Sequence, residues 1–142
     1  MKRLVLALAG LAAVLVPSAA ISVTRGGTAR GVYTAAQADE GARVYLVRCA
    51  VCHGARLEGS VEVPGLKGKF VANWAGRPLG DLYDYMGRAM PQPAPGSLSP
   101  QDNARLLAYL LRANGAPEGR QPLPADLAAL RGIAFAAPGP AS

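Results

Sequence analysis

The stretch Cys49-Ala50-Val51-Cys52-His53 decides how the chain is read, because it holds both cysteines and the single histidine of all 142 residues. Two thiols three positions apart with an imidazole on the next residue form the Cys-x-x-Cys-His spacing of c-type haem attachment. On a helix, residues three and four apart share a face. Cys49 and Cys52 can then each reach one vinyl group of a haem as a thioether, while His53 turns a ring nitrogen to the iron. The competing reading is a Cys-x-x-Cys disulfide or redox pair followed by an unrelated histidine. A thioredoxin-like pair sits in a βαβ frame, and no segment here shows a run of alternating β-branched residues.

Outward from the motif the pattern is helical. Thr34 followed by Gln37 fits a capping box, and Ala38, Ala42, Tyr45, Leu46 and Cys49 fall at helical spacing, which predicts a first helix from Ala35 to Cys52. Gly54 to Gly76 is Gly-rich and reads as loop, with one short helix over Lys69 to Asn73. Leu79, Leu82, Tyr83 and Met86 predict a second amphipathic helix within Pro78 to Arg88. Pro91, Pro93, Pro95 and Gly96 then force a strap from Met90 to Pro100. Ser99 as N-cap, Pro100 at the first helical position, Asp102 in the first turn and Gly115 with Pro117 as stop signals delimit the last long helix. Beyond it the chain is rich in Pro and Ala. A short helix is expected over Pro124 to Leu130, with Leu123, Leu127, Leu130, Ile133 and Phe135 lying against the body. The fold class is all-α.

Composition agrees. The chain is 51% hydrophobic but only 6% aromatic, so few rings are available to fill a core, and a haem supplies the large flat apolar group that the side chains lack. Two cysteines and one histidine exclude a disulfide-rich scaffold and leave a zinc site dependent on carboxylates. No repeat period recurs.

At the N-terminus Lys2 and Arg3 precede the apolar run Leu4 to Val16, and Pro17-Ser18-Ala19-Ala20 ends in small residues, the pattern of a secretory signal over residues 1–20. The uncharged stretch from Leu4 to Val23 equally has the length of an uncleaved membrane anchor. Either way the remainder is exported, to a periplasmic or other extracytoplasmic compartment. Residues 21–33 read as a flexible lead-in, 34–119 as the domain and 120–142 as an Ala/Pro-rich extension. The net charge of +6 falls to +4 without Lys2 and Arg3. The remaining basic residues are scattered without an aromatic platform, so nucleic acid is not an expected partner, and the membrane is one only if the N-terminal segment is kept.

One histidine leaves the sixth iron position to another donor. A thioether favours the ferrous state, and three methionines are present. Met1 lies in the signal. Met86 is in register with Leu79 and Leu82 and reads as core filler. Met90 precedes Pro91 where the helix must end, on a stiff strap that lowers the entropy cost of presenting sulfur. Met90 is therefore the expected ligand and Met86 the fallback.

Cys49 to His53 with Gly54, Pro64-Gly65-Leu66, Met90-Pro91, Pro95-Gly96-Ser97-Leu98-Ser99, and Ala108-Tyr109-Leu110 before Asn114-Gly115 together resemble the small exported single-haem class I cytochromes c, over about Thr34 to Gly119. The resemblance implies three main helices plus loops wrapped around one haem c, attached through Cys49 and Cys52, with His53 and Met90 as iron ligands. It implies that Pro64 accepts the N–H of the ligand imidazole. Gly41 and Tyr45 would meet the last helix, with Leu106 and Tyr109 facing them. Trp74 resembles a donor to a haem propionate, with rim packing as its alternative, and Arg77 is either a propionate partner or a solvated charge. The expected function is electron transfer between redox proteins such as a periplasmic dehydrogenase or a terminal oxidase, without substrate chemistry of its own. The alternatives are a permanent subunit of such a complex and a haem protein with an open sixth site. Arg48, Arg56, Lys67, Lys69 and Arg88 form a candidate basic collar for an acidic partner.

Overall fold

The computed structural model describes residues 27–136, so the signal or anchor segment and residues 137–142 lie outside it. Its helices are α1 (Ala35–Arg48), α2 (Ala50–His53), α3 (Lys69–Trp74), α4 (Leu79–Ala89), α5 (Pro100–Ala113) and α6 (Leu127–Arg131). Among the described residues there is no named strand, only an isolated antiparallel bridge between Pro78 and Ala134. None of these helices is long and apolar enough to cross a membrane.

The longest helices begin as their sequences dictate. Thr34 Oγ1 accepts the N–H of Gln37 at 3.2 Å to open α1, and Ser99 Oγ accepts that of Asp102 at 3.0 Å to open α5, with Pro100 in the first turn. The capping box itself is not closed. The Gln37 amide instead pairs with a distant peptide: its Nε2 donates to Leu123 O at 2.9 Å and its Oε1 accepts the Leu123 N–H at 2.8 Å. A carboxamide carries donor and acceptor in one plane and so matches an extended backbone residue better than a single cap N–H.

α1 and α5 make the principal helix contact. A Cβ on Gly41 would collide with the Arg105 carbonyl and lie 3.0 Å from Tyr109 Cβ, so glycine is what lets these backbones approach. Beside it the Tyr45 and Tyr109 rings pack with centroids 5.2 Å apart. The residue facing Gly41 is therefore Arg105, through its main chain, rather than Leu106. Leu106 is buried with Leu107, Leu110 and Leu111 in the core shared with Leu79, Leu82 and Met86 of α4. Each such side chain contributes about 1.5–3 kcal/mol by leaving water.

Two expectations are corrected. The first helix does not run through to Cys52: Cys49 leaves the helical region (φ −125°, ψ −34°), and α2 restarts as a separate turn. Leu46, placed by periodicity on the inner face, is 59% exposed. Leu46 lies within α1, ahead of the break at Cys49, so the inner face of that helix is the narrower one carried by Ala38, Gly41 and Tyr45.

Residues 27–33 are docked rather than flexible. Thr28 and Tyr33 are fully buried; Tyr33 Oη donates to Ala116 O at 2.6 Å, and Gly119 N–H donates to Tyr33 O at 2.7 Å. Gly31, at φ +73°, and Gly119 pack backbone on backbone with no room for a side chain on either. The C-terminal segment continues around the body. Ile133 O accepts the Leu79 N–H at 2.7 Å, Phe135 exchanges bonds with Gly76 and Arg77 at 2.8 Å, and Thr28 N–H donates to Ala134 O at 3.0 Å. Leu123, Leu130 and Phe135 are buried, as their apolar character required.

Candidate haem-binding site

The break after α1 arranges the motif. Cys49, at the junction, is half-buried against the core, while Cys52 is exposed, and both thiols are free. Burial raises the pKa of the unmodified Cys49 thiol to about 11. Reactive Cys-x-x-Cys pairs depend on the opposite shift, which counts against the redox-pair reading. His53 Nδ1 lies 2.9 Å from Pro64 O. A carbonyl oxygen only accepts, so Nδ1 carries the proton and Nε2 is left as the neutral donor. Pro64 lies on a loop closed by Leu66 N–H to Leu57 O (2.9 Å) and Ser60 N–H to Val63 O (2.8 Å).

Met86 is buried on α4, as its register implied. Met90 ends that helix: its N–H still reaches Met86 O at 3.0 Å, but its own backbone is extended (φ −125°, ψ 151°), and its side chain is half-buried ahead of the proline strap. Trp74 closes α3 and lies half-buried between Phe70 (6.5 Å) and Tyr85 (5.8 Å). The Arg77 guanidinium covers its ring at 4.5 Å and pairs with Asp81 at 3.3 Å. Of the basic collar, Arg56 and Arg88 have carboxylate neighbours, Glu58 and Asp84, and Arg48 bonds to Ser97 Oγ. Lys67 and Lys69 are exposed without an ion pair among the described residues.

The donor set fits a haem. Two free thiols stand one turn apart, an imidazole has its tautomer fixed by a carbonyl, and no three His, Cys, Asp or Glu side chains among the described residues gather around one point as they would for a single ion. Residues 36–110, from α1 into α5, match the family model described as cytochrome c oxidase, cbb3-type, subunit III. The chain belongs to this family of class I c-type cytochromes. A c-type cytochrome carries covalent haem c and transfers electrons through it. Cys49 and Cys52 are its attachment points here, being the two cysteines of the sequence. No curated protein matches the chain. Among solved structures, a chain of the sulfane dehydrogenase SoxCD from Paracoccus pantotrophus is 27% identical over 64% of this cytochrome and 55% of its own length, with a TM-score of 0.46. This cytochrome thus spans little more than half of that relative.

Sequence reasoning missed two side chains next to the motif. Tyr45 Oη donates to Gly54 O at 2.6 Å, and Asn114 Nδ2 donates to Leu66 O at 2.9 Å and Leu110 O at 2.8 Å. Tyr45 was visible only as a ring at a helix crossing and Asn114 only within the Asn114-Gly115 part of the family pattern, because the bonds to Gly54 O and Leu66 O join segments that no local pattern connects.

Proposed function

We propose that this cytochrome is exported and shuttles electrons between redox proteins, with its haem iron held between His53 and Met90. Bound there, the haem supplies reversible one-electron Fe(III)/Fe(II) cycling. The observation that carries the reading is the Nδ1–Pro64 bond, which leaves Nε2 as the only free donor of the only histidine. The Pro64 carbonyl keeps the ring in one tautomer and orientation and raises its basicity. Met90 stands where α4 unwinds, and the prolines after it limit the backbone freedom lost on ligation. Trp74, whose indole N–H has no acceptor among the described residues, is free to donate to a propionate. Arg77, already occupied by Asp81 and the indole face, is the poorer candidate.

Visible spectra of the holoprotein test the ligand set. The thioether-to-iron charge-transfer band is expected to disappear in Met90→Ala and to persist in Met86→Ala; the reverse result assigns Met86 instead. Rapid carbon monoxide binding by the wild-type ferrous protein would point to an open sixth site.

The proposed donor is a periplasmic dehydrogenase. A rate of electron transfer that ionic strength leaves unchanged would remove the collar of Arg48, Arg56, Lys67, Lys69 and Arg88 from partner docking. The oxidase subunit in the family description favours a second reading, a permanent subunit of an oxidase. Purification from membranes with a co-purifying oxidase would support that reading, and a free monomer would support the shuttle.

A further inference from the structure

We propose that Tyr45 and Asn114 are positioning residues for the axial imidazole, each holding one side of the His53–Pro64 hydrogen bond. The proposal rests on His53 being an iron ligand. Around His53 three bonds are made by backbone alone: His53 N–H to Cys49 O (2.9 Å), Gly54 N–H to Ala50 O (2.9 Å) and Gly59 N–H to His53 O (2.8 Å). The Gly54 carbonyl accepts the Leu57 N–H at 3.2 Å and, more closely at 2.6 Å, the hydroxyl of Tyr45, a side chain 1% exposed at the α1–α5 crossing. Gly54 sits at φ +79°, ψ 147°, where glycine has wide torsional freedom, so that hydroxyl, the shorter of the two bonds to Gly54 O, is the side-chain restraint that ties the turn leaving His53 to the helix crossing. On the other side, the loop carrying Pro64 is fastened to the end of α5 by Asn114, whose amide bridges Leu66 O and Leu110 O.

The two residues come from the two helices whose crossing is set by Gly41, so the helix pair that forms the scaffold also aims the ligand. A firm Nδ1–H to carbonyl bond makes the imidazole a stronger donor and favours the ferric state. Loosening either anchor weakens that bond and shifts the equilibrium toward ferrous iron. A threefold shift corresponds to about 30 mV at 59 mV per decade for one electron.

The test uses haem-loaded Tyr45→Phe, Asn114→Ala and Tyr109→Phe, read by midpoint potential and by the hyperfine-shifted ring-proton resonances of the His53 imidazole in the ferric state. Tyr45→Phe keeps the ring and removes only the bond. Its potential is expected to rise by about the threefold equivalent, with displaced imidazole signals, and Asn114→Ala is expected to act in the same direction. Tyr109→Phe removes a hydroxyl with no partner among the described residues from the other ring of the pair, and is expected to leave both readouts unchanged. The proposal is overturned if Tyr45→Phe and Asn114→Ala lower thermal stability alone and leave potential and imidazole signals at wild-type values, or if Tyr109→Phe moves them as far. Wild-type spectra lacking any ligated-imidazole signal refute His53 ligation itself, which is a separate failure.

Discussion

Replacing Gly41 with alanine puts one methyl group into the crossing of α1 and α5, against the Arg105 carbonyl and 3.0 Å from Tyr109 Cβ. By helix propensity alone the change would stabilise α1 by about 1 kcal/mol. Packing opposes it. The obstructing oxygen and carbon belong to the main chain and cannot rotate aside, so the helices must separate. Overpacking of this kind costs about 1–3 kcal/mol, and a gap of about 1 Å also forfeits a quarter to a half of the dispersion energy along the lining, here the Tyr45–Tyr109 contact. The net expectation is a loss of about 2 kcal/mol, or about 8 °C in Tm at roughly 4 °C per kcal/mol for a domain of this size. Gly87→Ala is the matched control. It brings the same helix gain to α4, and its nearest neighbour is a side-chain atom, the Asn103 amide nitrogen at 3.0 Å, which donates to Tyr83 O at 2.8 Å and has to give by only a few tenths of an ångström, where Gly41 faces main chain in outright collision. Thermal unfolding of both haem-loaded variants by far-ultraviolet circular dichroism makes the comparison. A Gly41→Ala protein as stable as wild type, or a Gly87→Ala protein equally damaged, would refute the close-crossing argument.

Gln37→Ala removes both bonds to Leu123, which together are worth about 1–3 kcal/mol. It is expected to speed protease cleavage within residues 116–126; an unchanged digestion pattern would show that this clasp is not what holds the segment. Burial raises the pKa of Tyr33, Tyr45, Tyr83 and Tyr109 above the ordinary 10.0. Above pH 10 the unfolded chain releases these protons while the folded protein keeps them. The stability these four hydroxyls contribute is therefore fully present below pH 10 and is lost as pH rises beyond it. Urea titrations across that range are expected to show the decline, with a shallower slope in Tyr45→Phe; a flat profile would contradict it.

The helices of the body were legible because each carried its own boundaries: Thr34 and Ser99 as caps, Pro100 in a first turn, and the four-residue apolar register of α4. Cys49, Cys52 and His53 were legible because haem attachment demands those groups in that order, whereas Pro64 was legible only through the family resemblance. The bend at Cys49 was not, since its residues keep helical spacing through the change of axis. Residues 27–33 looked loose for a similar reason: the partners of Thr28 and Tyr33, Ala136 and Ala116, lie 108 and 83 residues further on.

The amino-acid sequence was enough to establish a helical chain with covalent haem chemistry, because attachment spacing, capping residues and apolar periodicity are local properties written within a few positions of one another. It took the assembled fold to show that Arg105 rather than Leu106 meets Gly41, that Gln37 clasps the C-terminal segment, and that Tyr45 and Asn114 reach the backbone beside His53 and Pro64. Each of these depends on bringing together atoms that the chain keeps far apart, and the energy that selects them, burial and the pairing of buried polar groups, exists only once the helices have packed.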